Sequence, residues 1–146
     1  MSKHVDKTYA RSDEYRSQLE EIEVANVCPF CPAHRKWHPN PIENQSGHWA
    51  ITKIRENYPN AQLHFLIMGD EHMEHFLDIK PSDWADIGEL IRWACGNYEI
   101  KGGGIAMRFG PTTWTGASVS HLHLHLLVPE IDEQSGRAKV VEFPFG

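Results

Sequence analysis

The chain has 146 residues, 40% of them hydrophobic and 23% charged, which suits one domain able to bury its own core. A formal net charge of -6 argues against a long-range pull on a nucleic-acid backbone. No apolar run reaches bilayer length, and the opening residues from Met1 to Lys7 lack an apolar signal core, so the expected setting is the cytoplasm, without a membrane partner.

Residues 1–11 are polar and aperiodic and read as a frayed end. Ser12, followed by Asp13 and Glu14, is a helix start, and Tyr15, Leu19 and Ile22 recur at helical spacing, predicting an amphipathic helix to about Glu23. Cys28-Pro-Phe-Cys31-Pro is a stiff knuckle, and the stretch from Ala33 to Gly47, rich in Pro, Asn and His, reads as loop. Trp49 to Ile54 and His64 to Met68 are predicted strands, separated by the breaker Glu56-Asn-Tyr-Pro-Asn60. The main helix follows Lys80-Pro-Ser-Asp83, with Trp84, Ile87, Ile91, Ala94 and Tyr98 on one stripe, and Gly102 to Gly104 ends it. Ile105 to Phe109 is a strand, Gly110 to Gly116 a loop, and Ser118 to Val128 a long strand closed by Pro129. Val140 to Phe143 offers a last strand. Short links between strands and few helices predict an α+β domain with an antiparallel sheet of about five strands. Residues 1–24 form an N-terminal helical extension to a domain spanning 25–146.

The most informative segment is His-Leu-His-Leu-His-Leu-Leu-Val at 121–128. Strict alternation makes it a strand, with Leu122, Leu124 and Leu126 on the core face and His121, His123 and His125 in a row on the other. The outer two are about 13 Å apart along the strand, too far to share one metal ion at bond lengths near 2 Å. The three rings therefore divide their labour. The preceding loop, Gly110 to Val119, is rich in backbone and hydroxyl donors of the kind that cradle phosphate oxygens.

There are three cysteines, and in a reducing compartment the Cys28/Cys31 pair at C-x-x-C spacing points to metal before disulfide. A closed tetrahedral zinc site needs two more ligands. The local choice is His34 and His38; the other is long-range.

His121-Leu-His123-Leu-His125-Leu-Leu127 resembles the signature of the histidine-triad (HIT) family. Gly116-Ala-Ser118-Val-Ser-His121 resembles the family's approach loop, His64 to His72 its strand and turn, and Cys28-Pro-Phe-Cys31 the knuckle of its zinc-bearing members. These landmarks stand in family order from Cys28 to Pro129.

The resemblance implies a HIT-like fold. It also implies a hydrolase acting at the α-phosphate of dinucleoside polyphosphates, nucleoside phosphoramidates or adenylated small molecules. His123 would be the nucleophile that forms a nucleotidyl-histidine intermediate, His125 would contact the phosphate, and Ser118 would bind phosphate or assist the leaving group. Glu56 falls where relatives hold the ribose hydroxyls, with Asn57 as an alternative. Gly116, Ala117, Arg108 and Trp114 would line the substrate. His125 favours the hydrolase branch over the transferases and phosphorylases; the alternatives are a nucleotidyltransferase or phosphorylase of the same superfamily, and a nucleotide-binding module without significant turnover. The implied structural zinc set is Cys28, Cys31, His72 and His121, and a homodimer is expected. The chain departs from the family pattern at Ala117, which replaces a Gln, at Arg108, which stands near a phosphate-binding Asn, and in a loop about two residues longer before Gly116. These departures bear on the leaving group more than on the attack.

Overall fold

The computed structural model describes residues 4–146. The first helix, α1 (Asp13–Ala25), begins where the sequence places it: the Ser12 hydroxyl accepts from the Tyr15 amide at 3.1 Å, and Asn26 closes the helix in the left-handed region at φ 52°. Its buried residues, Leu19 and Ile22, pack with Val5 and Val119. Val5 also forms a β-bridge to Val119, so the segment from residue 4 onward is docked and not frayed; residues 1–3 lie outside the described residues.

Five strands form one antiparallel sheet in the order β1-β2-β3-β5-β4. They are β1 (Ile42–Ser46), β2 (Trp49–Lys53), β3 (Ala61–Gly69), β4 (Gly104–Met107) and β5 (His123–Pro129). Helix α2 (Pro81–Asn97) lies on one face, burying Ile87, Leu90 and Ala94 against Ile51, Phe65, Ile67, Leu124 and Leu126. Burying Ile87 and Leu90 contributes about 2 kcal/mol each. The opposite face is covered by α1, Val5 and the segment after the Cys28–Cys31 knuckle.

Several expected boundaries move. The stretch expected to be loop from Ala33 to Gly47 contains a 3-10 segment, Pro32–Trp37, and strand β1. β1 is an exposed, polar edge strand with no apolar alternation to announce it, and it pairs with β2 across a tight turn at Gly47 (φ 54°). A Cβ at Gly47 would lie 2.1 Å from the Asp86 carboxylate, so at this positive φ any side chain would have to displace Asp86. The last strand is short: β5 starts at His123, because Ser118 to Leu122 spends its backbone groups elsewhere, Leu122 N–H donating to the Met73 carbonyl at 2.7 Å. Val140 to Phe143 is not a strand; Val141 and Phe143 pack beside Tyr58 and Leu127 outside any ladder. The loop before Gly116 holds a one-turn helix, α3 (Thr112–Thr115). No helix among the described residues is long and apolar enough to cross a membrane.

Candidate active site and metal centre

Two sites share the sheet face opposite α2. The first gathers Cys28, Cys31, His72 and His121, whose ligand atoms all lie within 4.8 Å of one another. Cys28 Sγ is 3.3 Å and Cys31 Sγ 3.7 Å from His121 Nδ1; His72 Nδ1 is 3.5 Å from Cys31 Sγ and 3.4 Å from His121 Nδ1. A tetrahedral zinc with two sulfur and two nitrogen ligands has ligand–ligand edges of about 3.3–3.8 Å, so these residues fit the group. The far sides of both rings fit as well. His121 Nε2–H donates to the Gly69 carbonyl at 2.7 Å and His72 Nε2–H to the Glu74 carboxylate at 2.9 Å, which leaves each Nδ1 bare. Burial pushes the Cys28 thiol up to about 12, a cost that a bound cation removes. Arg35 fastens the knuckle to the turn after β3, donating to the Phe30 carbonyl at 2.9 Å and to Asp70 at 3.0 Å.

The local alternative is not assembled. His38 Nε2 instead pairs with the Thr52 hydroxyl at 2.8 Å, and His34 is outside the cluster.

The second site is a cavity lined by His123, His125, Ser118, Gly116, Glu56 and Arg108, with a wall from α1 and the knuckle. Covered by that wall, all three histidines of the strand are buried, at 2%, 7% and 3% exposure in chain order. Their tautomers follow from their partners. His123 Nδ1–H donates to the His121 carbonyl at 2.6 Å, so its Nε2 keeps the lone pair. Burial lowers its pKa to about 4, so at neutral pH the ring is uncharged.

His125 is set by a chain of three groups. The Tyr58 amide donates to His64 Nδ1 at 3.1 Å, so the proton of a neutral His64 sits on Nε2 and is donated to His125 Nδ1 at 2.7 Å. The His125 proton is therefore on Nε2, a buried atom with no protein partner. Burial first, then Arg11 and His123, lower His64 to about 3, and burial with the neighbouring charges lowers His125 as well, so the relay stays neutral. Phe30 packs edge-on against His123 at 5.0 Å, and Tyr58 and Phe143 pack against His125 at 5.6 and 4.8 Å.

Not every expected substrate residue reaches the cavity. Asn57 is spent on the turn, donating to the Ala61 and Gln62 carbonyls at 3.2 and 3.3 Å. Trp114 is 82% exposed and points away from the lining, because α3 turns it outward. Ala117 is buried behind the loop, its amide donating to the Thr115 hydroxyl at 3.2 Å. Glu56 does line the cavity, where its carboxylate accepts from the Ser12 hydroxyl at 3.4 Å.

Sequence reasoning gave no role to His64, Tyr58, Arg11 or Phe143. For His64 a signal existed: it is the one histidine of β3, an otherwise largely apolar strand, and its register (His64 beside Leu127, Leu66 beside His125) puts it on the face of His125.

A family model for the HIT domain matches residues 50–131. An uncharacterised HIT-like protein of Chlamydia trachomatis is 35% identical over 78 residues, covering 51% of this chain and 68% of its own length. A HIT family hydrolase from Clostridium thermocellum superposes with a TM-score of 0.53 at 25% identity, covering 73% of this chain and 92% of that one. A zinc-bound histidine triad family protein from Mycobacterium smegmatis does so at 0.53 and 21%, covering 76% and 80%. With the motif, the sheet and the knuckle in agreement, the chain belongs to the histidine-triad family.

Proposed function

We propose that this protein is a nucleotide hydrolase that works through a covalent nucleotidyl-His123 intermediate. The observation that carries the reading is the pair of opposed tautomers: a neutral His123 with a bare Nε2 beside a His125 that presents an unpartnered Nε2–H to the same cavity.

His123 Nε2 attacks the α-phosphorus and the bond to the leaving group breaks. As the ring gains positive charge, the His121 carbonyl that accepts its Nδ1–H stabilises it. His125 Nε2–H and the Ser118 hydroxyl donate to phosphate oxygens or to the departing atom. Water then attacks the nucleotidyl-histidine, releasing the nucleotide and restoring the neutral ring. Glu56 and Gly116 line the cavity, where Glu56 would take the ribose hydroxyls and the Gly116 backbone would face the phosphate. Transfer to an acceptor other than water would use the same intermediate.

Cys28, Cys31, His72 and His121 would hold a zinc ion; with four protein ligands its contribution is structural, anchoring the knuckle to the strand. The zinc-bound relative supports this assignment. The open edge of β4, where Ile105 is 55% exposed, is the expected contact of a homodimer.

The test is a rapid quench with nucleotide labelled at the α-phosphorus. Wild type should trap label on protein and His123→Ala should trap none, with turnover lost and nucleotide binding retained. Undiminished turnover by His123→Ala would end the proposal.

A further inference from the structure

We infer that Arg11 and Arg108 form a pair that reads negative charge on the leaving group, so that the preferred substrate is a nucleoside polyphosphate conjugate and not an amine conjugate. The inference rests on the hydrolase reading for the position of the reacting phosphorus.

The chain is acidic overall, yet three arginines and one carboxylate line its cavity. Of the chain's seven arginines, three meet a carboxylate: Arg55 meets Glu14 at 3.2 Å, Arg35 meets Asp70 at 3.0 Å, and the exposed Arg92 meets Glu89 at 3.8 Å. Arg11 and Arg108 form no ion pair with a carboxylate among the described residues, and Glu56 bonds to neither.

Aromatic faces hold both instead. The Arg11 guanidinium lies 3.6 Å from the centre of the Tyr58 ring, and that of Arg108 lies 4.1 Å from the centre of Phe143. Tyr58 and Phe143 are 5.9 Å apart and both pack on His125. The two cations thus stand on one ring cluster whose other contact is the proposed phosphate donor. Both are close enough to add, after burial and the neighbouring histidines, to the lowering of the His125 pKa. Arg108 also donates through Nε and Nη2 to the Pro144 carbonyl, the Nε contact at 2.9 Å, which spends part of its five-donor fork on a neutral acceptor.

A guanidinium stacked on a ring loses rotamer freedom but keeps its N–H edge available. Two such groups without counter-ions suit a ligand with several anionic oxygens. The α-phosphate already has His123, His125 and Ser118. The remaining anion is the phosphate that departs. When the His123 Nε2–P bond forms and the P–O bond breaks, that phosphate leaves with the bonding electron pair. It needs added positive charge and no obligatory proton. An amine leaving group has the opposite need, a proton and no cation. Arg11 and Phe143 lie outside residues 50–131 while Tyr58 and Arg108 lie inside them, so each cation–ring contact joins a flank to the family domain.

The test compares two substrates that share an AMP moiety: diadenosine triphosphate, which releases ADP, and adenosine 5′-phosphoramidate, which releases ammonia. Arg11 is exposed, so Arg11→Met should leave the fold intact. In Arg11→Met and in Arg108→Met, the ratio of kcat/KM for the triphosphate over the phosphoramidate should fall about tenfold or more, and Arg11→Lys should recover part of it. An unchanged ratio overturns the inference. Binding separates it from the hydrolase reading. In a His123→Ala background, ATP should bind about tenfold or more tighter than AMP, and Arg11→Met should erase that difference. Equal affinities overturn the pair. If neither substrate turns over while the ATP preference and its loss persist, the pair stands and the hydrolase reading falls.

Discussion

His64→Leu isolates the relay that sets His125. Leucine fills most of the space of a ring that is only 1% exposed but neither accepts from Tyr58 N–H nor donates to His125 Nδ1. Two buried polar groups then lose their partners, each costing about 1–3 kcal/mol, so the variant should lose roughly 2–6 kcal/mol of stability. The chemical effect should exceed the structural one. With Nδ1 unpaired, His125 is free to carry its proton there and to turn a lone pair toward the phosphate. Loss of one preorganised donor in a buried site lowers kcat by about 10²–10³-fold, with KM changed far less. The assay pairs steady-state kinetics below the variant's melting range with nitrogen-detected NMR of the imidazoles. His125 should shift from the Nε2–H toward the Nδ1–H form. His64→Gln, which retains both an acceptor and a donor, should recover part of kcat. A His64→Leu protein with wild-type kcat and an unmoved His125 tautomer would refute the reasoning.

His121→Ala should lower metal content and melting temperature together, by elemental analysis and calorimetry; a strong chelator should do the same to wild type, with activity failing only as the fold does. Acid stability should follow the buried histidines. The folded-state pKa of His64, about 3, lies below its unfolded value of about 6.5, so its contribution is complete above pH 6.5 and is lost as pH falls toward 3; it amounts to no more than about 5 kcal/mol, and His64→Leu should flatten that slope in denaturant titrations. Gly47→Ala should cost about 1–2 kcal/mol in thermal unfolding, since its Cβ meets the Asp86 carboxylate at a positive φ, while leaving kcat alone.

The order of strands β2, β3, β4 and β5 and of both long helices was legible because each carries its own periodicity or cap. β1 was not, because Ile-Glu-Asn-Gln-Ser has no apolar face; its pairing is dictated by β2 and the Gly47 turn. The end of the chain failed in the reverse direction: Val140 to Phe143 has strand composition, but Val141 and Phe143 pack on Tyr58 and Leu127 without joining a ladder. In the site, residues fixed by alternation or by the knuckle were readable in advance. Those fixed by distant contacts were not. Arg11 and Tyr58 are 47 positions apart and meet only because α1 covers the triad face. Trp114 stands in the approach loop by sequence, and a single turn of helix sends it outward.

His121 commits both ring nitrogens and its carbonyl. One ring nitrogen faces the thiols, the other ties to Gly69, and its carbonyl holds the proton of His123. Rigidity and reactivity therefore pass through one peptide unit. Loss of the anchoring cluster therefore reaches the attacking ring through that unit as the fold gives way. Arg11, Glu56 and Arg108 line the same cavity away from that unit, so a change there alters what the cavity reads without moving the cluster.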